Sequence, residues 1–94
     1  MLDLKGRKAL VTGGARGLGA GMAEALAEAG ASVMIGDILA EAGQSTAKTI
    51  AGKGVKAGYV RLDVTDERSW EEAVATSISE LGGFDIWRNN AGIE

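Results

Sequence analysis

The chain has 94 residues, a net charge of −3 and 46% hydrophobic residues, with no cysteine and no histidine. That allows one globular domain with a thin core and gives no basic face for nucleic acid. It also excludes disulfides, cysteine–zinc sites, imidazole ligands and the Ser-His-Asp triad, so no metal site is expected.

The predicted elements follow in chain order. Residues 8–12 (KALVT) form a short, β-branched apolar run that stops at glycines, which predicts a buried strand. From Leu18 a helix follows, with an apolar stripe at Leu18, Met22 and Leu26, flanked by Ala23 and Ala27. Glu24 and Glu28 are expected to point away from it, and Gly30 to close it as the residue after the cap. Residues 32–37 (SVMIGD) predict the second strand. Residues 39–51 predict a weaker helix that contains Gly43 and closes at Lys53-Gly54. Residues 57–62 (AGYVRL) predict the third strand. Thr65 is the expected N-cap of a third helix, with Asp66 and Glu67 suited to its positive end. Its stripe is Trp70, Val74, Ile78 and Leu81, ended by Gly82-Gly83, and residues 84–89 predict a fourth strand.

The order βαβαβαβ implies a parallel sheet with right-handed crossovers. The expected fold class is α/β, with helices packed on a parallel sheet. No apolar run approaches the roughly 18 residues of a membrane helix. The first residues lack the charged-then-apolar pattern of a signal peptide, so a cytoplasmic protein without membrane or nucleic-acid partners is expected.

The stretch from Thr12 to Gly19 holds four glycines in eight residues, between the first strand and the first helix. A helix start offers unpaired N–H groups and a partial positive charge, and so attracts phosphate. A Cβ there would hinder close approach, and Gly13, Gly17 and Gly19 remove it, with Leu18 at the helix start. No Lys follows in the pattern of a triphosphate loop, and the third glycine of the common G-x-G-x-x-G spacing is missing from position 22. The alternative is a tight turn that packs helix on strand. The acidic Asp37, 18 positions after Gly19 at the end of the second strand, favours a dinucleotide. Its carboxylate can accept both ribose hydroxyls of an adenosine and would repel a 2′-phosphate, which favours NAD over NADP. Arg16 is the counter-signal, a loop cation within reach of a 2′-phosphate.

Thr12-Gly13-x-x-x-Gly17-x-Gly19 resembles the cofactor fingerprint of the short-chain dehydrogenase/reductase family. Asp63-Val64 resembles its adenine-binding dipeptide, and Asn89-Asn90-Ala91-Gly92 its second hallmark. The resemblance covers essentially the whole chain and implies a Rossmann-like, three-layer αβα sandwich with strand order 3-2-1-4, of which these residues form a partial version. It implies that Gly13, Gly17 and Gly19 approach the pyrophosphate with the Leu18 backbone nearby, and that Asp37 holds the adenosine ribose. It further implies that Asp63 takes the adenine amino group, that the Val64 backbone meets the ring, and that Asn89, Ala91 and Gly92 line the ribose and nicotinamide side.

Two features depart from the family. Trp87 and Arg88 stand where apolar residues normally run into Asn-Asn-Ala-Gly, and a buried Arg needs a carboxylate partner or an open face. Family members are more than twice as long, and their serine and Tyr-x-x-x-Lys pair have no counterpart here. The one tyrosine, Tyr59, is followed four residues on by Asp63. No catalytic residue is assigned. The expectation is a single NAD(P)-binding Rossmann domain over residues 1–94, truncated before the catalytic segment of an oxidoreductase that acts on an alcohol or carbonyl. Strand 4 would then present an unpaired edge through which the chain forms homo-oligomers. The alternatives are a non-catalytic dinucleotide-binding module and an inactive, self-associating fragment.

Overall fold

In the computed structural model, residues 3–83 are described in full and the strand 85–87 by its backbone. Four strands and three helices alternate: β1 (Lys8–Thr12), α1 (Gly17–Glu28), β2 (Ser32–Asp37), α2 (Ala40–Ala51), β3 (Ala57–Arg61), α3 (Glu67–Leu81) and β4 (Asp85–Trp87). All pairings are parallel and the strand order is β3-β2-β1-β4, as expected. Phe84, Arg88 and Asn89, expected in the fourth strand, lie outside the described residues.

The two-residue period of a strand splits the core cleanly. Ala9, Val11, Val33 and Ile35 face one side, where Ala23, Leu26 and Ala27 of α1 and Ala47 and Ile50 of α2 cover them. Leu10 and Met34 face the other side and meet Leu81 of α3, with Val60 and Trp70 beside them. β2 is buried on both faces between β1 and β3, which explains its unbroken apolar run. Among the described residues no helix is long and apolar enough to cross a membrane.

Four local expectations need correction. α1 does not bury Leu18, which is 82% exposed; its buried face is Gly19, Ala23, Leu26 and Ala27, and Met22 is only partly covered. Glu24 is half-buried, while Glu28 is exposed and pairs with Lys53. α3 is capped by Asp66, whose carboxylate accepts from the Arg68 N–H at 3.0 Å, and not by Thr65. Thr65 is occupied elsewhere, donating both its N–H and its hydroxyl to Asp63. The buried face of α3 is Ser69, Ala73, Ser77 and Leu81, rotated by one residue from the apolar stripe, so Ile78 is half-exposed. Small residues let the helix lie close to a sheet face already filled by Leu10 and Met34.

The helix ends fall where glycine permits them. Gly30 follows the cap of α1 with φ +107°, and Gly82 caps α3 with φ +85°.

Candidate functional site

Because all strands run parallel, the segments after β1, β2 and β3 leave the same edge of the sheet. Residues 13–16, Asp37 with Ile38, and Asp63 with Val64 therefore share one rim. Crevices at this edge are where open α/β sheets take ligands.

The glycine loop turns the chain from β1 into α1 and leaves the helix start without a side-chain cap. Gly13 leaves β1 with φ +65°, and its N–H donates to Gly36 O at 2.8 Å, which seats the turn on β2. Gly14 is buried, and a Cβ there would stand 3.0 Å from Val11 O and 3.2 Å from Ile35 Cδ1. Gly17 has φ +63° with open space around it. Arg16 is the N-cap of α1, and a guanidinium has no acceptor to offer the first turn. α1 thus begins with no capping side chain and no acidic residue, whereas α3 has both. The first-turn N–H groups at Gly17, Leu18 and Gly19 have no intrahelical carbonyl to reach and lie beside an exposed Leu18. Arg16 itself is exposed.

Asp37 is half-buried at the end of β2 and held from several sides. Its Oδ2 accepts from Ala15 N at 3.0 Å and its Oδ1 from Leu39 N at 3.1 Å. Its backbone oxygen accepts from Leu62 N at 3.1 Å and from the Tyr59 hydroxyl at 2.7 Å. Each carboxylate oxygen retains a lone pair, so both can accept a further hydroxyl in a fixed orientation. Tyr59 gains this contact because Gly43, inside α2, leaves room for its ring. Burial, and then the charge of Asp37, push the Tyr59 phenol above its ordinary pKa, while Arg61 partly offsets them. This hydroxyl is a structural donor, not an acid poised for proton transfer.

The Asp63-Val64 dipeptide is positioned by the start of α3. Asp63 N donates to the buried Ser69 hydroxyl at 2.9 Å, and Trp70 Nε1 donates to Val64 O at 3.0 Å. Asp63 Oδ1 accepts from Thr65 N at 2.9 Å and Thr65 Oγ1 at 2.6 Å. These bonds hold the Asp63 carboxyl below its ordinary range, with the Thr65 hydroxyl the larger cause. Oδ2 keeps its acceptor capacity. The Val64 side chain is 46% exposed and Ile38 is 57% exposed, two apolar surfaces on the same rim.

Thus Gly13, Arg16, Gly17, Leu18, Gly19, Asp37, Asp63 and Val64 all lie on the rim or at the helix start beneath it. Asn89, Ala91 and Gly92 lie outside the described residues. Ile38, Thr46 and Tyr59 are additional neighbours of this rim. The apolar pair Ile38-Leu39 directly past a strand end is the one sequence signal that points to any of them.

The fold defines the class, a Rossmann-like α/β protein with its polar loops gathered at the carboxyl edge of a parallel sheet. The family profile described as short chain dehydrogenase matches residues 7–94, and the chain belongs to that family. It is 46% identical over 90 residues to the 2,5-dichloro-2,5-cyclohexadiene-1,4-diol dehydrogenase LinX of Sphingobium indicum, covering 96% of this chain and 36% of that protein. The crystal structure of hydroxysteroid dehydrogenase from Escherichia coli superposes with a TM-score of 0.90 at 36% identity, over 96% of this chain and 39% of that one. A 7 alpha-hydroxysteroid dehydrogenase complexed with NADH and 7-oxo glycochenodeoxycholic acid superposes with a TM-score of 0.86 at 35% identity, over 89% of this chain and 33% of that one. The chain therefore spans about a third of the length of the relatives it matches.

Proposed function

We propose that these residues form the dinucleotide-binding domain of an oxidoreductase that moves hydride between a nicotinamide cofactor and an alcohol or carbonyl compound, with NAD as the preferred cofactor. The observation that carries the reading is Asp37, held by Ala15 N and Leu39 N with one acceptor site free on each oxygen. Two vicinal ribose hydroxyls match that pair of acceptors, whereas a 2′-phosphate would meet a fixed negative charge. The uncapped start of α1 suits the pyrophosphate, and the exposed apolar Ile38 and Val64 suit the flat faces of adenine. A relative that carries NADH supports the same cofactor class. The nicotinamide, when bound, supplies the hydride chemistry. What these residues contribute is binding, orientation and the choice between two dinucleotides. Tyr59 is committed to Asp37 O, and no catalytic proton donor is assigned among the residues here.

The test is a calorimetric titration of the protein with NADH and NADPH, alongside Asp37→Ala. NADH should bind more tightly than NADPH, and the substitution should weaken NADH about tenfold or more, as expected for lost charge-assisted hydrogen bonds. It should also narrow the gap between the two cofactors. Failure of the wild-type protein to bind either dinucleotide would overturn the reading, and an unchanged NADH affinity in the variant would remove Asp37 from it.

A further inference from the structure

We infer that Thr46, on α2, is a positioning residue that sets the glycine loop and, through Ala15, the discriminating carboxylate of Asp37; the inference rests on the dinucleotide reading above. A threonine hydroxyl within a helix ordinarily bonds the carbonyl one turn back. Thr49 does this, donating to Ser45 O at 3.1 Å. Thr46, one turn earlier on the same helix, instead donates to Ala15 O at 2.5 Å, across 31 positions of sequence.

Ala15 is buried at the crown of the loop. Its two peptide groups are held from opposite elements. Its N–H is donated to Asp37 Oδ2 at the end of β2, and its C=O accepts from Thr46 on α2. The Ala15 carbonyl belongs to the peptide that leads into Arg16, the N-cap, and then into Gly17, where φ is +63°. Fixing that carbonyl therefore fixes where the first-turn N–H groups of α1 stand. Fixing the Ala15 N–H fixes which way Asp37 presents its oxygens. Thr46 is thus tied to both halves of the cofactor rim while lying outside it.

Loss of the hydroxyl leaves a part-buried carbonyl without its donor, and the loop is free to shift. Asp37 then loses the steady hold of Ala15 N and can turn away from the ribose position. NADH loses well-placed acceptors, whereas NADPH also escapes some repulsion. The discrimination between the two cofactors should fall, which a purely structural threonine would not cause.

The experiment measures NADH and NADPH affinities and melting temperature for the wild-type protein, Thr46→Val, Thr46→Ser, Thr49→Val and Asp37→Ala. Thr46→Val keeps the shape and removes the donor. We expect its NADH affinity to fall about three- to tenfold, the range one hydrogen bond supports, with NADPH falling less. Thr46→Ser should keep the wild-type ratio, and Thr49→Val should leave both affinities unchanged. Should the valine variant fail to fold, Thr46→Ala against Thr46→Ser gives the same comparison of donor absent and donor present. Equal loss for both cofactors, or no loss in a folded variant without the donor, overturns the role of Thr46. If the wild-type protein discriminates and Asp37→Ala abolishes this while Thr46→Val does not, this inference alone fails. If Asp37→Ala is itself without effect, the underlying reading fails and this one with it.

Discussion

Gly43 and Tyr59 occupy one space: the phenol ring lies where a side chain on Gly43 would be, and its hydroxyl donates to Asp37 O at 2.7 Å. A glycine inside a helix ordinarily destabilises by about 1 kcal/mol relative to alanine. At this position the sign should reverse. A Cβ on Gly43 would run into the Cδ1–Cε1 edge of a rigid ring, which cannot swing aside without losing its hydrogen bond. Gly43→Ala should lower stability by about 1–2 kcal/mol, since overpacking outweighs propensity. In a Tyr59→Ser background the same substitution should stabilise, because the ring is gone. Chemical denaturation of the four proteins in this cycle measures the coupling. Additive effects would show that Gly43 and Tyr59 do not compete for the space.

Gly14 and Gly17 stand three residues apart in the loop and should fail differently. A Cβ on Gly14 meets the Val11 carbonyl and the Ile35 side chain, so Gly14→Ala should destabilise by about 1–2 kcal/mol through overpacking. Gly17→Ala meets no neighbour, but φ +63° costs a non-glycine residue about 1–2 kcal/mol. Stability should therefore fall by similar amounts. Cofactor affinity should not. The open space at Gly17 is where the proposed pyrophosphate approaches, so Gly17→Ala should weaken NADH about tenfold or more, the scale of a lost hydrogen bond to a charged group. Gly14 lies on the packed side, and its variant should retain most of the affinity. Paired melts and titrations decide this. A Gly14 variant that loses as much affinity as the Gly17 variant would show that the loop acts as one unit.

The topology was legible because its signals are local. Apolar runs that end in glycine mark β1 and β2, and their alternation with helices implies a parallel sheet, while the order β3-β2-β1-β4 was legible only through the family resemblance. The place of Asp37 at the end of β2 was legible because the apolar run stops there, 18 positions after Gly19. The face of α3 was not. Period alone selects Trp70, Val74 and Ile78, but the helix packs through Ser69, Ala73 and Ser77. Its two buried serines are satisfied locally, Ser77 by Ala73 O and Ser69 by the Asp63 N–H. Only that second bond, made outside the helix, explains why a polar residue faces inward at Ser69. Thr65 and Asp66 are both good caps, and the choice between them was decided by Asp63 engaging Thr65. The Thr46–Ala15 and Tyr59–Asp37 bonds join residues 31 and 22 positions apart, and no short pattern encodes them.

Asp63 makes its corner of the rim sensitive to acid. Its carboxyl lies below the ordinary aspartate range because the ionised form accepts from the Thr65 hydroxyl and N–H, with Arg61 adding a smaller favourable charge. A carboxyl depressed in the folded state stabilises the fold at pH above its unfolded pKa. That contribution is lost as pH falls from the ordinary aspartate range through the lowered folded value. The same protonation would remove the acceptor proposed for the adenine amino group. An NMR titration of the Asp63 carboxyl carbon should therefore give a midpoint below the ordinary aspartate value. Thr65→Val removes the larger cause and should move the midpoint upward, while the remaining Thr65 N–H keeps it from returning fully. NAD affinity should decline over the same acidic interval in the wild-type protein, and at higher pH in the variant. A wild-type midpoint in the ordinary range, or one that Thr65→Val leaves in place, would show that Thr65 does not hold this carboxylate in solution.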